Sequence, residues 1–105
     1  MKAIEKPPQL AHESKLILEA MSSPERFQIM LALKQDKTGL SFTQLAQLFK
    51  MNHNTLDRHL KALTRSTLVW NFFERRQGKD HSYYKLSTLG EKLLEDLKQE
   101  IILRT

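Results

Sequence analysis

Apolar residues in this chain fall into blocks whose spacing runs from helical to alternating and back to helical. Residues 1–8, with Pro7 and Pro8, read as a loose arm. Leu10 to Met21 then reads as a first helix, with Leu10, Leu16, Ile17, Ala20 and Met21 apolar. In SSPERFQIMLALKQ, Ser23 can cap and Pro24 takes the first helical position, where its missing N–H costs nothing. Phe27, Ile29, Met30, Leu31 and Leu33 are apolar on more than one face, the pattern of a central, buried helix. DKTG ends it. A third helix opens at LSFTQL, where Ser41 and Gln44 form a capping-box pattern and Leu40 and Leu45 are placed as its hydrophobic staple. Phe42, Leu45, Ala46 and Phe49 continue it at helical spacing.

After a short turn, Lys50-Met51-Asn52, Asn52 is a good N-cap for a fourth helix. Its buried stripe is Leu56, Leu60 and Leu63. That spacing sends His53, Asn54, Asp57, Arg58, Lys61 and Arg65 outward, with Thr55 at the border. Val69 to Arg76 and His81 to Leu86 are rich in aromatic and β-forming residues, and Gln77-Gly78-Lys79-Asp80 between them is a turn signal. The result is a β-hairpin. Alternation predicts Val69, Phe73, Tyr84 and Leu86 inward, and Trp70, Phe72 and Tyr83 on the opposite face, where something must cover them. Thr88 and Glu91 offer a second capping box before a last helix carrying Leu89, Leu93, Leu94, Leu97, Ile101 and Ile102.

Charge sharpens this picture. Of 17 basic and 12 acidic residues, the stretch from Lys50 to Lys79 holds Lys50, Arg58, Lys61, Arg65, Arg75, Arg76 and Lys79 against only Asp57 and Glu74. That excess equals the whole chain's formal +5, and the remaining segments balance. A positive charge confined to one helix and its neighbouring hairpin marks a surface that meets a polyanion. Hydrophobic content of 40% is that of a folded protein, and 105 residues suit one domain. The absence of cysteine excludes disulfides, zinc fingers, iron–sulfur clusters and thiol catalysis. No apolar run is long enough for a membrane span, and the N-terminus lacks the apolar core of a signal peptide, so a cytoplasmic protein is expected. There is no glycine-rich phosphate loop, no nucleophile motif and no carboxylate pair set in an apolar run; an enzyme is not expected.

The segments SPERFQIMLAL, LSFTQLAQLF, HNTLDRHLKAL, STLV and YYKLSTLGEKL, in this order and spacing, resemble the winged helix-turn-helix regulators of the ArsR-like and MarR-like superfamily, in particular the small single-domain members common in archaea. The resemblance covers roughly Ser22 to Leu94. It implies a mainly α fold with a β-hairpin wing, about five helices and two to three short strands. It also implies a DNA-binding transcriptional regulator that is a two-fold dimer built from its first and last helices. Three departures stand out. Cysteine ligands of the metal-sensing members are missing and the last helix has no histidine, so no metal or other cofactor is expected. Asp57 stands where a small polar residue is common, and Lys50 where glycine is often found.

Candidate contacts follow from this arrangement. The N-terminal part of such a helix enters the major groove, so Asn54, Thr55 and Arg58, with His53 as an addition, are candidates for base edges. Lys61 and Arg65 further along, and Thr43 and Gln44 at the start of the third helix, are candidates for phosphates; a solvated face competes as a reading of the first pair, and capping as a reading of Gln44. Arg75, Arg76, Lys79 and His81 form the wing set, for which protection of a strand edge is the bland alternative. His59 is expected half-buried and not a metal ligand. Leu10, Ile17, Leu93, Leu97 and Ile101 are the expected dimer contacts, because so long a last helix projects beyond a small core. The expected partners are thus double-stranded DNA and a second copy of the chain. Two other readings stay open: a protein-interaction module using Trp70, Phe72 and Tyr83, and a sensor holding a small effector at the dimer interface.

Overall fold

A computed structural model describes residues 12–100. In chain order the elements are α1 (His12–Met21), α2 (Pro24–Gln35), β1 (Leu40–Ser41), α3 (Phe42–Phe49), α4 (His53–Arg65), β2 (Val69–Arg76), β3 (Lys79–Leu86) and α5 (Thr88–Glu100). The strands form one antiparallel sheet in the order β1-β3-β2. The expected arm over residues 1–8, and Leu10, Ile101 and Ile102, lie outside the described residues.

Local signals set most boundaries. The Ser23 hydroxyl accepts from the Arg26 N–H and Pro24 opens α2. At α3 the capping box is complete: Gln44 N–H donates to Ser41 Oγ, and Gln44 Oε1 accepts from the Ser41 N–H. Asn52 caps α4 by accepting from the Asn54 N–H. Helix α4 ends in a Schellman pattern, Leu68 N–H to the Leu63 carbonyl and Thr67 N–H to the Thr64 carbonyl, with Thr67 at φ 62°.

The core is built around α2. Ile29, Met30 and Leu33 are buried against Leu45 and Ala46 of α3, Leu56, Leu60 and Leu63 of α4, and Leu68, Val69, Leu86 and Leu94. The expectation that α2 is central holds, since it packs on α1, α4, α5 and β3. The apolar stripe of α4 is the Leu56, Leu60 and Leu63 set read from the sequence.

Of the two to three strands expected, three are present: Leu40 and Ser41, besides leading into α3, pair with Tyr84 and Tyr83. Three sequence expectations need correction. The turn is only Gln77-Gly78, both at positive φ as a tight type I′ hairpin turn requires, so Lys79 and Asp80 belong to β3. The cap of α5 is Ser87, whose hydroxyl accepts from the Gly90 N–H; no Thr88–Glu91 box forms. Finally, Phe73 lies on the inward face but is not part of the core. It is 78% exposed, while Tyr83 on the opposite face is 6% exposed. The inward face of the hairpin is core only near its base, at Val69 and Leu86, because the two strands run on past the helices. Tyr83 is covered instead by the Arg76 guanidinium, 3.8 Å from its ring, and by tilted stacking with Phe72. Phe72 in turn packs where a Cβ on Gly39 would lie 2.9 Å from its ring, and Gly39 has φ +94°, so glycine is required there twice over.

Candidate nucleic-acid interface

The third and fourth helices, joined by three residues, present the polar face of α4. The turn begins at Lys50, which takes the left-handed conformation (φ 51°) that glycine would adopt without strain. On α4, His53, Asn54, Arg58, Lys61 and Arg65 are exposed, and Thr55 and Asp57 are half-buried. The sequence-derived face is therefore the observed one. Asp57, the departure from the usual small residue, is paired with Lys61 at 2.9 Å, one turn along the helix. His53 packs edge-on against Phe42 of α3, with ring centroids 5.3 Å apart, which ties the start of α4 to the preceding helix.

Arg26 was not singled out in the sequence. Its Nε–H donates to His59 Nδ1 at 3.1 Å, and its Nη1 donates to the Glu19 carbonyl at the end of α1. One side chain of α2 thus links the end of α1 to the middle of α4. Its only sequence signal is an arginine one turn into a buried helix, which many surface arginines share. The half-buried His59 is biased toward its neutral form: desolvation lowers its pKa most, and the Arg26 charge lowers it further, as does Arg58, with Glu25 opposing. A histidine whose folded pKa is depressed binds fewer protons folded than unfolded, so it contributes stability above its ordinary value near 6.5 that is lost as pH falls below it. Denaturant unfolding at pH 5 and pH 7 is expected to show lower stability at pH 5. In His59→Gln, which keeps an acceptor for Arg26 but cannot titrate, the difference is expected to shrink. An identical pH dependence in the two proteins would remove His59 as its source.

The wing stands beside α4. Helix α4 packs on β2, and Tyr84 of β3 sits close enough to α4 that Asp57 affects its hydroxyl. Burial chiefly raises the Tyr84 pKa and Asp57 adds to the rise, against a hydrogen bond with Ser82 and the Lys61 charge. On the wing, Arg75 pairs with Asp80 at 3.2 Å, and Arg76 pairs with Glu74 and also donates to the Thr38 carbonyl. Arg76 is thus a lid on Tyr83 as much as a charge at the surface. Lys79 and His81 are exposed.

An open cleft of about 570 Å³ lies between the start of α3 and the wing, lined by Thr43, Gln44, Arg76, His81 and their neighbours. The structure therefore brings both backbone-contact candidates of α3 together with two of the wing set. Of the seven confined cations, Lys61, Arg75 and Arg76 have acidic partners, whereas among the described residues Lys50, Arg58, Arg65 and Lys79 have none. Exposed pairs of this kind are worth no more than about 1 kcal/mol and exchange readily for another anion.

The expected dimer contacts divide. Ile17 and Leu93 pack against the chain's own core, and Leu97 is half-buried. On the same two helices Leu18 (57%) and Leu89 (38%) are exposed. Among the described residues no three histidine or acidic side chains gather as a metal site, and no helix is long and apolar enough to cross a membrane.

A helix-turn-helix with an antiparallel hairpin packed beside its second helix is the decisive arrangement, and the comparisons agree. A family model described as a helix-turn-helix domain matches residues 21–69. HlyU from Vibrio cholerae is 26% identical, with 86% of this chain and 92% of that chain covered and a TM-score of 0.66. The chain carries a helix-turn-helix domain with a β-hairpin wing. The same winged-helix fold is shared with the transcriptional repressor PagR of Bacillus anthracis (24% identity, 81% and 92% covered, TM-score 0.64). It is shared too with S. aureus MepR in its DNA complex (18% identity, 82% and 69% covered, TM-score 0.69). No curated protein matches this winged helix in sequence.

Proposed function

We propose that this winged helix is a sequence-specific, double-stranded-DNA-binding transcriptional regulator that acts as a homodimer, and that it represses by occupying its site. The observation that carries the reading is the cationic, solvent-facing edge formed by α4, the turn before it and the wing, four of whose cations (Lys50, Arg58, Arg65 and Lys79) lack an acidic partner among the described residues. Helix α4 enters the major groove, with Asn54, Thr55 and Arg58 at base edges and His53 beside them. Lys61 and Arg65 meet phosphates, as do Thr43 and Gln44 across the cleft; Arg75, Lys79 and His81 reach the flanking backbone or minor groove. Arg76 is given mainly to Tyr83. PagR is a repressor and MepR has been crystallised with DNA, and both precedents point the same way. The dimer is formed by α1 and α5, whose exposed Leu18 and Leu89 need cover.

The rival use of Trp70, Phe72 and Tyr83 as a protein-docking patch loses support from the structure. Tyr83 is buried, Phe72 is half-buried, and the Lys85 ammonium lies 5.7 Å from the Trp70 ring and 5.1 Å from the Phe72 ring. The test is titration of duplex DNA at several salt concentrations. Binding is expected to weaken linearly on a double-logarithmic plot, with a slope of about 0.9 per phosphate neutralised. Failure to bind any duplex at low salt would defeat the proposal.

A further inference from the structure

We infer that Phe73 is an apolar contact to duplex DNA, laid against a deoxyribose ring or a thymine methyl beside the α4 contact. The inference rests on the DNA-binding reading and adds to it a residue outside the polar and charged set. Phe73 is the most exposed large hydrophobic side chain among the described residues, at 78%. It shares a sheet face with Asn71 and Arg75 of β2 and with Ser82, its direct cross-strand partner, and Tyr84 of β3. That face is the one turned toward α4, since Val69 and Leu86 at its base are core and Tyr84 feels both Asp57 and Lys61. Phe73 lies two cross-strand pairs beyond Tyr84 toward the wing tip, the next position on that face, where the strands have left the core behind.

Its surroundings indicate the occupant. Ser82 and Asn71 are bonded to each other at 2.6 Å, and Arg75 is next on the same face, so Phe73 is an isolated ring in a polar field. Trp70 and Phe72 lie on the opposite face and form no common patch with it. Protein docking sites need a contiguous apolar area. A lone ring next to Arg75, on the wing face turned toward α4, suits a polyanion that also carries small apolar surfaces. Duplex DNA does, in its sugar rings and the C5-methyl of thymine.

The test uses the full chain and a duplex it selects from a random pool. Phe73→Ala is expected to weaken binding roughly tenfold, the scale of burying one ring face, with the salt slope unchanged because no phosphate contact is lost. Lys79→Ala, in contrast, is expected to lower the slope by about 1. Repeating the titration with uracil in place of thymine separates the two sources. If the Phe73→Ala deficit disappears on the uracil duplex, the ring meets a methyl; if it persists, the ring meets a sugar. A photo-crosslinking benzophenone side chain at position 73 is expected to capture a DNA strand. Unaltered affinity of Phe73→Ala while the parent binds, or crosslinking to a second copy of the chain instead, would overturn the inference and leave DNA binding standing. If the parent selects no duplex, both readings fall.

Discussion

Gly90→Ala is expected to destabilise the protein by about 2 kcal/mol or more, even though alanine is the better helix former. A Cβ at Gly90 would lie 2.2 Å from the Leu68 carbonyl oxygen and 3.2 Å from Leu86 Cδ2. The first neighbour is backbone and cannot swing away. It is also held in place, since the Leu68 carbonyl accepts from the Ser87 N–H and Leu68 itself closes the Schellman turn of α4. Relief therefore requires α5 to move off the sheet, which opens the contacts of buried Leu94. Overpacking costs about 1–3 kcal/mol and sometimes more, and a 2.2 Å approach to fixed backbone belongs at or above the upper end, so about 2 kcal/mol or more is left after the helix-propensity gain of roughly 1 kcal/mol. For a domain of this size the net effect corresponds to a fall in Tm of roughly 10 °C. Thermal and denaturant unfolding of the variant would check it, and a midpoint equal to the parent's would show that the approach of α5 to Leu68 is looser than described.

Arg58→Ala is expected to weaken binding to the selected duplex by about 1–3 kcal/mol and to relax preference at one base position. Arg58 is exposed near the middle of the outward face of α4 and, among the described residues, has no acidic partner. Its guanidinium fork is free to pair with the acceptors of a guanine edge. Because the side chain is exposed and unpaired, folding stability is expected to stay within about 0.5 kcal/mol of the parent, which separates loss of contact from loss of fold. Competition with single-base variants of the site decides the role. Uniform weakening across all of them, with a shallower salt slope, would move Arg58 to the phosphate class.

Helical parts of the fold were legible because their signals are local. The Leu56, Leu60 and Leu63 stripe repeats at the helical period, and the Ser41–Gln44 box and the Asn52 cap involve residues two or three apart. The outward set on α4 follows once the stripe is known. The hairpin was legible in outline, since its turn carries Gly78, but its ends were not: whether Lys79 and Asp80 pair depends on the turn being two residues long. Thr88–Glu91 matched the capping pattern as well as Ser41–Gln44 did. Ser87 nevertheless caps α5, because its N–H is fixed by the Leu68 carbonyl, 19 positions away in the chain.

By itself, the sequence determined the helices, the helix-turn-helix with its hairpin, and the confinement of positive charge to one edge, since period, caps and charge are properties of neighbouring residues. Only the tertiary structure decided which members of that edge are available. Arg76 is taken up by Glu74, Thr38 and Tyr83, Lys61 by Asp57, and His59 by Arg26, whereas Arg58 and Phe73 are left to solvent. The reason is reach. A side chain's partner is set by what the fold brings within a few ångströms, and for Arg26 and Arg76 that neighbour lies 33 and 38 positions away along the chain.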